Sequence, residues 1–223
     1  MTQCALLMYN RGTDRQAETK VHVQGVEHEF RNSMNEKMTL EEYEVWEREQ
    51  TERHEYWGGE VFSQAGGSRS HSLIGANILC EVSQILRGNP CLAYGSNMRV
   101  DIEAAGYQAY PDVSVVCPPV EGKSTDVISN PVLVVEVLSP STADFDRGTK
   151  FGHYRKIPSL KEYVVLWQDQ PRAEQHVRTE DGLWLLREIV GVDQSIQLAS
   201  IGAAIAMADI YDKVVFPEIE RTE

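Results

Sequence analysis

A carboxylate stands where composition argues against one: Glu136, inside the run Val132-Leu133-Val134-Val135-Glu136-Val137-Leu138. An unpaired charge in so apolar a strand is expensive. Glu136 is therefore satisfied by a core Arg or Lys, protonated, or bound to a metal. Asp112 offers it a companion. It follows Tyr110-Pro111, where the proline holds the chain extended, and opens the strand-like stretch Asp112-Val113-Ser114-Val115-Val116. Alone, an Asp there reads as an Asp-type turn at a strand edge. Two carboxylates on neighbouring strands, however, can take a hard divalent cation through oxygen, with the main-chain carbonyl of Val137 as a third ligand. Lys150, 14 positions beyond Glu136, completes the set. An amine beside such an ion orients the attacking water or stabilises charge in the transition state of phosphoryl chemistry. The bland alternative is a solvated helical lysine paired with Asp146 at i,i+4. Tyr154 lies a further four residues on and shares the face of Lys150.

These side chains need strands and helices to hold them. Thr39 and Glu42 form a capping-box pair, and Leu40, Tyr43 and Trp46 recur at helical spacing, which predicts a helix ending near Glu49. Tyr56 to Phe62 reads as two extended segments around Gly58-Gly59. Ser68 to Leu86 predicts the longest helix, with Leu73, Ala76, Leu79, Val82 and Ile85 or Leu86 as its apolar stripe and Gly88-Asn89-Pro90 as its stop. Strands are expected at Leu92–Tyr94, Met98–Ile102 and Pro111–Cys117. Val132–Leu138 has the pattern of a central strand buried on both faces. Ser139-Pro140-Ser141-Thr142 breaks it, and Ser141 and Thr142 offer capping hydroxyls to a helix running through Arg155 and ended by Pro158. Glu162–Trp167 is another central strand, and Val177–Arg178 with Trp184–Ile189 suggest a hairpin around Asp181-Gly182. The outline is a mixed α/β sandwich.

At 223 residues and 42% hydrophobic, the chain can bury one substantial core. The expected division is an extension over 1–37 with a strand near Val21–Val26, one domain over 38–215, and a tail over 216–223. No stretch has the roughly 18 consecutive apolar residues of a membrane span. The apolar run at Met1 to Met8 lacks the basic region and cleavage pattern of a secretory signal. Cys4, Cys80, Cys91 and Cys117 show no CxxC or Cys/His zinc spacing and are expected as buried thiols in a reducing, cytoplasmic setting. A net charge of −13 argues against a generic binder of nucleic acid, which needs a basic surface. The local exception is Arg147, Arg155, Lys156 and Lys161, the best group for phosphate contact, although such charge runs are usually solvated faces.

From about Met38 to Ile210 the chain resembles the Uma-two-type restriction endonucleases, a group similar to PD-(D/E)XK nucleases. The fragments that carry the likeness are Met38-Thr39-Leu40-Glu41-Glu42-Tyr43, Glu55-Tyr56-Trp57-Gly58-Gly59-Glu60-Val61, His71, Tyr110-Pro111-Asp112-Val113, Val135 to Thr142, Asp146, Lys150, Tyr154 and Glu162-Tyr163-Val164-Val165. The combination of Pro-Asp-Val with a downstream Val-Glu-Val-Leu-Ser-Pro-Ser-Thr is highly specific. The resemblance implies a restriction endonuclease-like mixed β-sheet core flanked by helices, with an added N-terminal hairpin and C-terminal strands. It implies Mg²⁺ or Mn²⁺ at Asp112 and Glu136, and endonucleolytic hydrolysis of nucleic acid, with DNA the expected substrate and a homodimer expected by analogy. It also implies a displaced lysine: Leu138 occupies the position the parent motif gives to lysine, and the amine comes from the following helix at Lys150. Glu60, His71 and Tyr154 are carried as additional candidates. The alternative function is a weakly active or inactive nuclease fold serving as a binding or regulatory module, a reading the acidic charge favours.

Overall fold

The computed structural model describes residues 37–64, 67–140 and 142–216. The strand anticipated at Val21–Val26, Cys4, Ser141, nearly all of the N-terminal extension and most of the C-terminal tail lie outside the described residues. Helix α1 (Leu40–Glu47) starts as its sequence dictates. The Thr39 hydroxyl accepts from the Glu42 N–H and the Glu42 carboxylate from the Thr39 N–H. Strands β1 (His54–Trp57) and β2 (Glu60–Ser63) follow as a two-residue hairpin. Its turn requires positive φ at both central positions, +56° at Gly58 and +98° at Gly59, which glycine adopts without a Cβ penalty.

Helix α2 (Arg69–Ile85) is capped by Ser68, whose hydroxyl accepts from the His71 N–H. Its buried stripe is Ile74, Ile78, Val82 and Leu86; Val82 and Leu86 belong to the stripe expected from the sequence and Leu79 packs beside it, but Ile74 and Ile78 take the place of Ala76, which is exposed. Two apolar series run along this helix, and the one that packs is set by the sheet beneath it. Each of Ile74, Ile78 and Val82 contributes roughly 1.5–3 kcal/mol by full burial.

Strands β3 (Leu92–Gly95), β4 (Arg99–Ile102), β5 (Tyr107–Ala109), β6 (Val113–Val116), β7 (Val127–Ile128) and β8 (Pro131–Leu138) come next. Of these, β5 and β7 are too short to carry a period and were not expected. Helix α3 is continuous but not uniform: α over Ala143–Phe145, π over Asp146–Lys150, α again over Phe151–Tyr154. The capping hydroxyl at its approach belongs to Ser139, which accepts from the Thr142 N–H, whereas Thr142 caps nothing with its own side chain. Then follow β9 (Glu162–Trp167), β10 (Arg172–Arg178), β11 (Trp184–Val190), β12 (Ser195–Leu198), β13 (Ala203–Ala206) and α4 (Met207–Ile210).

A six-stranded sheet, ordered β11-β10-β9-β8-β6-β3, forms the centre. The parallel pair β8 and β9 is joined through α3, as a parallel connection requires. On one face α2, the β12–β13 hairpin and α4 enclose Val113, Val135, Val137, Val164 and Leu166. On the other, a five-stranded sheet, ordered β2-β1-β5-β4-β7, and α3 enclose Val134, Leu138, Tyr163 and Val165. The expected mixed α/β architecture is what forms.

The cysteines correct an expectation. Leu92 pairs with Val116 across β3 and β6, so Cys91 and Cys117 fall side by side at the ladder's end and are joined as a disulfide. Register brings them together, and spacing along the chain does not reveal register. Cys80 is a free, exposed thiol on α2.

Glu162 holds the two halves of the C-terminal region. Its buried carboxylate accepts from the Ala199 N–H at 3.1 Å, the Ser200 N–H at 3.0 Å and Gln175 Nε2 at 3.0 Å. Glu162→Ala removes the acceptor of four donors, the Ser200 hydroxyl included, in partly buried surroundings where each unmet donor costs about 1 kcal/mol. A loss of at least about 3 kcal/mol is expected in urea denaturation, with a far-UV circular dichroism spectrum otherwise unchanged in water.

Candidate active site

The site begins where β6 stops pairing with β8. Val113 opposite Val135 is the final pairing, and one residue further Asp112 stands at the register position facing Glu136. The Val137 N–H, beyond the reach of β6, donates instead to Asp112 Oδ2 at 2.7 Å. His71, one turn into α2, places Nε2 3.5 Å from the same oxygen. Glu136 lies on the opposite face of β8 from Val135 and Val137, toward α3. There the Tyr154 hydroxyl donates to its Oε1 at 3.1 Å, and Lys150 Nζ stands 3.0 Å from that atom.

Lys150 is held on three sides. Its Nζ is 3.0 Å from Glu55 Oε1 on β1 and 3.6 Å from Asp146 Oδ1 one turn back, besides Glu136. The Tyr107 hydroxyl donates to the other oxygen of Glu55. The π turn makes this convergence. It leaves the Asp146 carbonyl accepting both from the Phe151 N–H and from the Tyr163 hydroxyl, and it sets Asp146 and Lys150 inward together.

Electrostatics follow from burial and from an imbalance of sign. Glu136 and Lys150 are only 4% and 5% exposed. Burial opposes the ammonium form of Lys150, but Glu136 and Glu55 outweigh it and hold its pKa well above the ordinary lysine value. Glu136 is also pushed well above the ordinary carboxylate range. Burial is the main cause, and Asp146, Asp112 and Glu55 add to it against the opposing pull of Lys150. Asp112 is raised by burial too, with His71 and the Val137 N–H opposing. Lysine and acid shift in the same direction because the carboxylates outnumber the single ammonium; Lys150 stays charged, and the surplus falls on Glu136.

Other residues singled out in the sequence lie elsewhere. Glu60 is exposed at the start of β2, opposite Trp57; the acid this hairpin sends to the cluster is Glu55. Arg147 is not a free cation. It makes two bonds to Glu174, at 2.9 and 2.7 Å, and lies 5.4 Å over the Trp167 ring. Arg155 and Lys156 are exposed just past α3, where the Arg155 carbonyl accepts from Arg178. Asp112 and His71 also line an open cleft of about 810 Å³ between the β1–β2 hairpin and α2.

Comparison with known proteins bears on what such a cluster is for. Residues 40–208 match the model of the Uma2 family, described as "Putative restriction endonuclease". The chain belongs to the Uma2 family. Two proteins of Synechocystis sp. are similar to this chain. The one designated slr1290 is 37% identical over 180 residues, covering 81% of this chain and 94% of that protein. The one designated sll1609 is 35% identical over 166 residues, covering 73% and 93%. A crystal structure from Anabaena variabilis, described as "a putative nuclease belonging to DUF820", superposes with a TM-score of 0.66 at 16% identity, over 80% of this chain and 99% of that one. The nuclease-like fold is shared.

The donors in this Uma2 chain suit a hard cation. Among the described residues no group of three or more His, Cys, Asp and Glu side chains is gathered as a ready cage. A cation here would find Asp112, Glu136 and the Val137 carbonyl as an incomplete, all-oxygen set. Mg²⁺ uses such sets, taking one or two carboxylates and keeping several waters. A divalent cation would also offset the surplus of negative charge. Sequence reading passed over Glu55 because nothing in His54-Glu55-Tyr56-Trp57 marks which face of a short hairpin turns inward. Lys150→Met leaves Glu136, Glu55 and Asp146 facing one another without a cation. A loss of about 3–5 kcal/mol is expected in urea at neutral pH, and adding Glu136→Gln to that variant should recover part of it.

Proposed function

We propose that this Uma2 protein is a Mg²⁺- or Mn²⁺-dependent endonuclease that hydrolyses phosphodiester bonds in DNA. One observation carries the reading. Asp112 lines an open cleft, and the register position facing it holds Glu136, which is paired with a buried ammonium behind the cleft wall. Structural ion pairs have no need of a cleft, whereas a site that receives a phosphate does.

In this reading Asp112, Glu136 and the Val137 carbonyl hold the ion. When bound, it lowers the pKa of a coordinated water, polarises the scissile phosphate and steadies the leaving oxygen. By giving up the longest of its three carboxylate contacts, that to Asp146 at 3.6 Å, Lys150 would turn an N–H to the attacking water or to a non-bridging phosphate oxygen. Glu55 and Asp146 keep the ammonium charged and aimed, and Tyr154 fixes the rotamer of Glu136. The Val137 N–H pins one oxygen of Asp112, so the carboxylate enters the reaction with its orientation already set. His71 sits against that same oxygen at the cleft wall, placed to hold it or to contact an incoming phosphate.

The test is cleavage of plasmid and single-stranded DNA with Mn²⁺ or Mg²⁺. Wild type should cut, and EDTA should abolish cutting. Asp112→Asn, Glu136→Gln and Lys150→Gln should each lower the rate by about 100-fold or more. Equal rates in wild type and all three variants would sink the assignment. Tight binding of DNA with no cleavage under any metal would favour the alternative, a nuclease-fold binding module.

A further inference from the structure

The cleft that ends at Asp112 has a second feature, independent of the carboxylate cluster. Its walls carry the hydroxyls and amide of Thr51, Ser63, Gln64, Ser72 and Ser96, and α2 gives it the small side of Gly75. Among the described residues no Phe, Tyr or Trp ring lines it, and its one imidazole, His71, is turned to the Asp112 carboxylate. Arg53 is the guanidinium there. It makes no ion pair among the described residues: it donates to Ser96 Oγ at 3.2 Å and to Asn97 Oδ1, and it lies 5.9 Å over the Tyr110 ring. An arginine in a chain of net charge −13 that is fastened only by neutral acceptors and a ring is a cation held in place without its anion. Glu52, exposed, is the other unpaired charge of the lining.

Its position is informative. Gly95 pairs with Val113, so Ser96, the next residue, stands at the register position beside Asp112. Arg53 is thus held one side chain away from the carboxylate. A cleft of about 810 Å³ has the size of a small-ligand or single-strand site. It is too small to enclose a duplex, which brings two backbones and the stacked pairs between them. Hydroxyls, amides and a guanidinium, with no stacking platform, suit sugar and phosphate rather than bases.

We propose that the cleft binds a single DNA strand through its backbone, and that Arg53 holds the phosphate adjoining the one cleaved at Asp112. This rests on the nuclease reading and adds its substrate form: single-stranded, with little preference for sequence. Arg53 is a binding and positioning residue here.

The experiment measures binding and cleavage separately. Fluorescence anisotropy in EDTA follows short labelled oligonucleotides of two unrelated sequences, as single strands and as duplexes, on wild type, Arg53→Gln, Arg53→Lys and the surface control Arg187→Gln. Wild type should bind both single strands similarly and more tightly than either duplex. Arg53→Gln should weaken binding about tenfold, and its slope of log K against log salt should fall by about 0.7, the value of one phosphate on a single strand. Arg53→Lys, which keeps charge but loses the fork, should fall between, and it serves if Arg53→Gln fails to fold. Arg187→Gln should bind as wild type does. In cleavage with Mn²⁺, Arg53→Gln should raise KM about tenfold with kcat nearly unchanged. Unaltered affinity and KM in Arg53→Gln, an equal loss in Arg187→Gln, or preference for duplex would each overturn the Arg53 assignment while leaving the nuclease reading standing. Wild type that neither binds nor cleaves would overturn both.

Discussion

A buried ammonium among carboxylates is the constraint around which this molecule is arranged. Lys150 cannot be left in an apolar layer without partners, and Glu136 cannot lie in a central strand without a cation. Each is tolerable only because the other is 3.0 Å away. The third partner, Glu55, comes from a different sheet, so the five-stranded and six-stranded sheets share an electrostatic contact as well as an apolar layer. The tyrosines around it do related work. Tyr107, Tyr154 and Tyr163 place hydroxyls on Glu55, Glu136 and the Asp146 carbonyl while their rings fill the surrounding core. Their hydroxyls are kept protonated far above the ordinary tyrosine range, first by burial and then by the acids they touch.

Comparison of Glu136 with Glu162 shows why burial alone does not mark a site. Both are carboxylates in apolar central strands, and both are almost wholly enclosed. Glu162 accepts from two main-chain N–H groups and an amide, so its lone pairs are occupied by groups that belong to the fold. Glu136 is met by a hydroxyl and an ammonium within a surplus of negative charge. One carboxylate is finished by the chain; the other retains capacity for something the chain does not provide.

This contrast also measures what the sequence discloses. The elements that carry Asp112, Glu136 and Lys150 were legible because each has a strong local signal: a proline-opened strand, a β-branched run, and a helix between a Ser-Pro break and Pro158. That the three converge depends on register and on a π turn, neither of which has a residue signature of its own. Along α2 the sequence marks Val82 and Leu86 correctly but not Ile74 and Ile78, because Leu73 and Ala76 repeat as regularly as they do. Glu55 went unassigned, and Glu60 was considered in its place, because a four-residue strand has too few positions to show which side is inward. The Cys91–Cys117 bond was invisible for the same reason as the meeting of Asp112 and Glu136: both are properties of paired strands and not of either strand alone.

The π turn over Asp146–Lys150 has a consequence for how the family can vary. Successive residues of a helix are separated by about 100° around its axis. The extra residue accommodated in this turn therefore sets the rotational phase of everything after it, Lys150 and Tyr154 included. Loops such as Pro118 to Asn130 can change length at small cost. Between Ala143 and Lys150 a single insertion or deletion would swing the amine out of the cluster and turn a different side chain in.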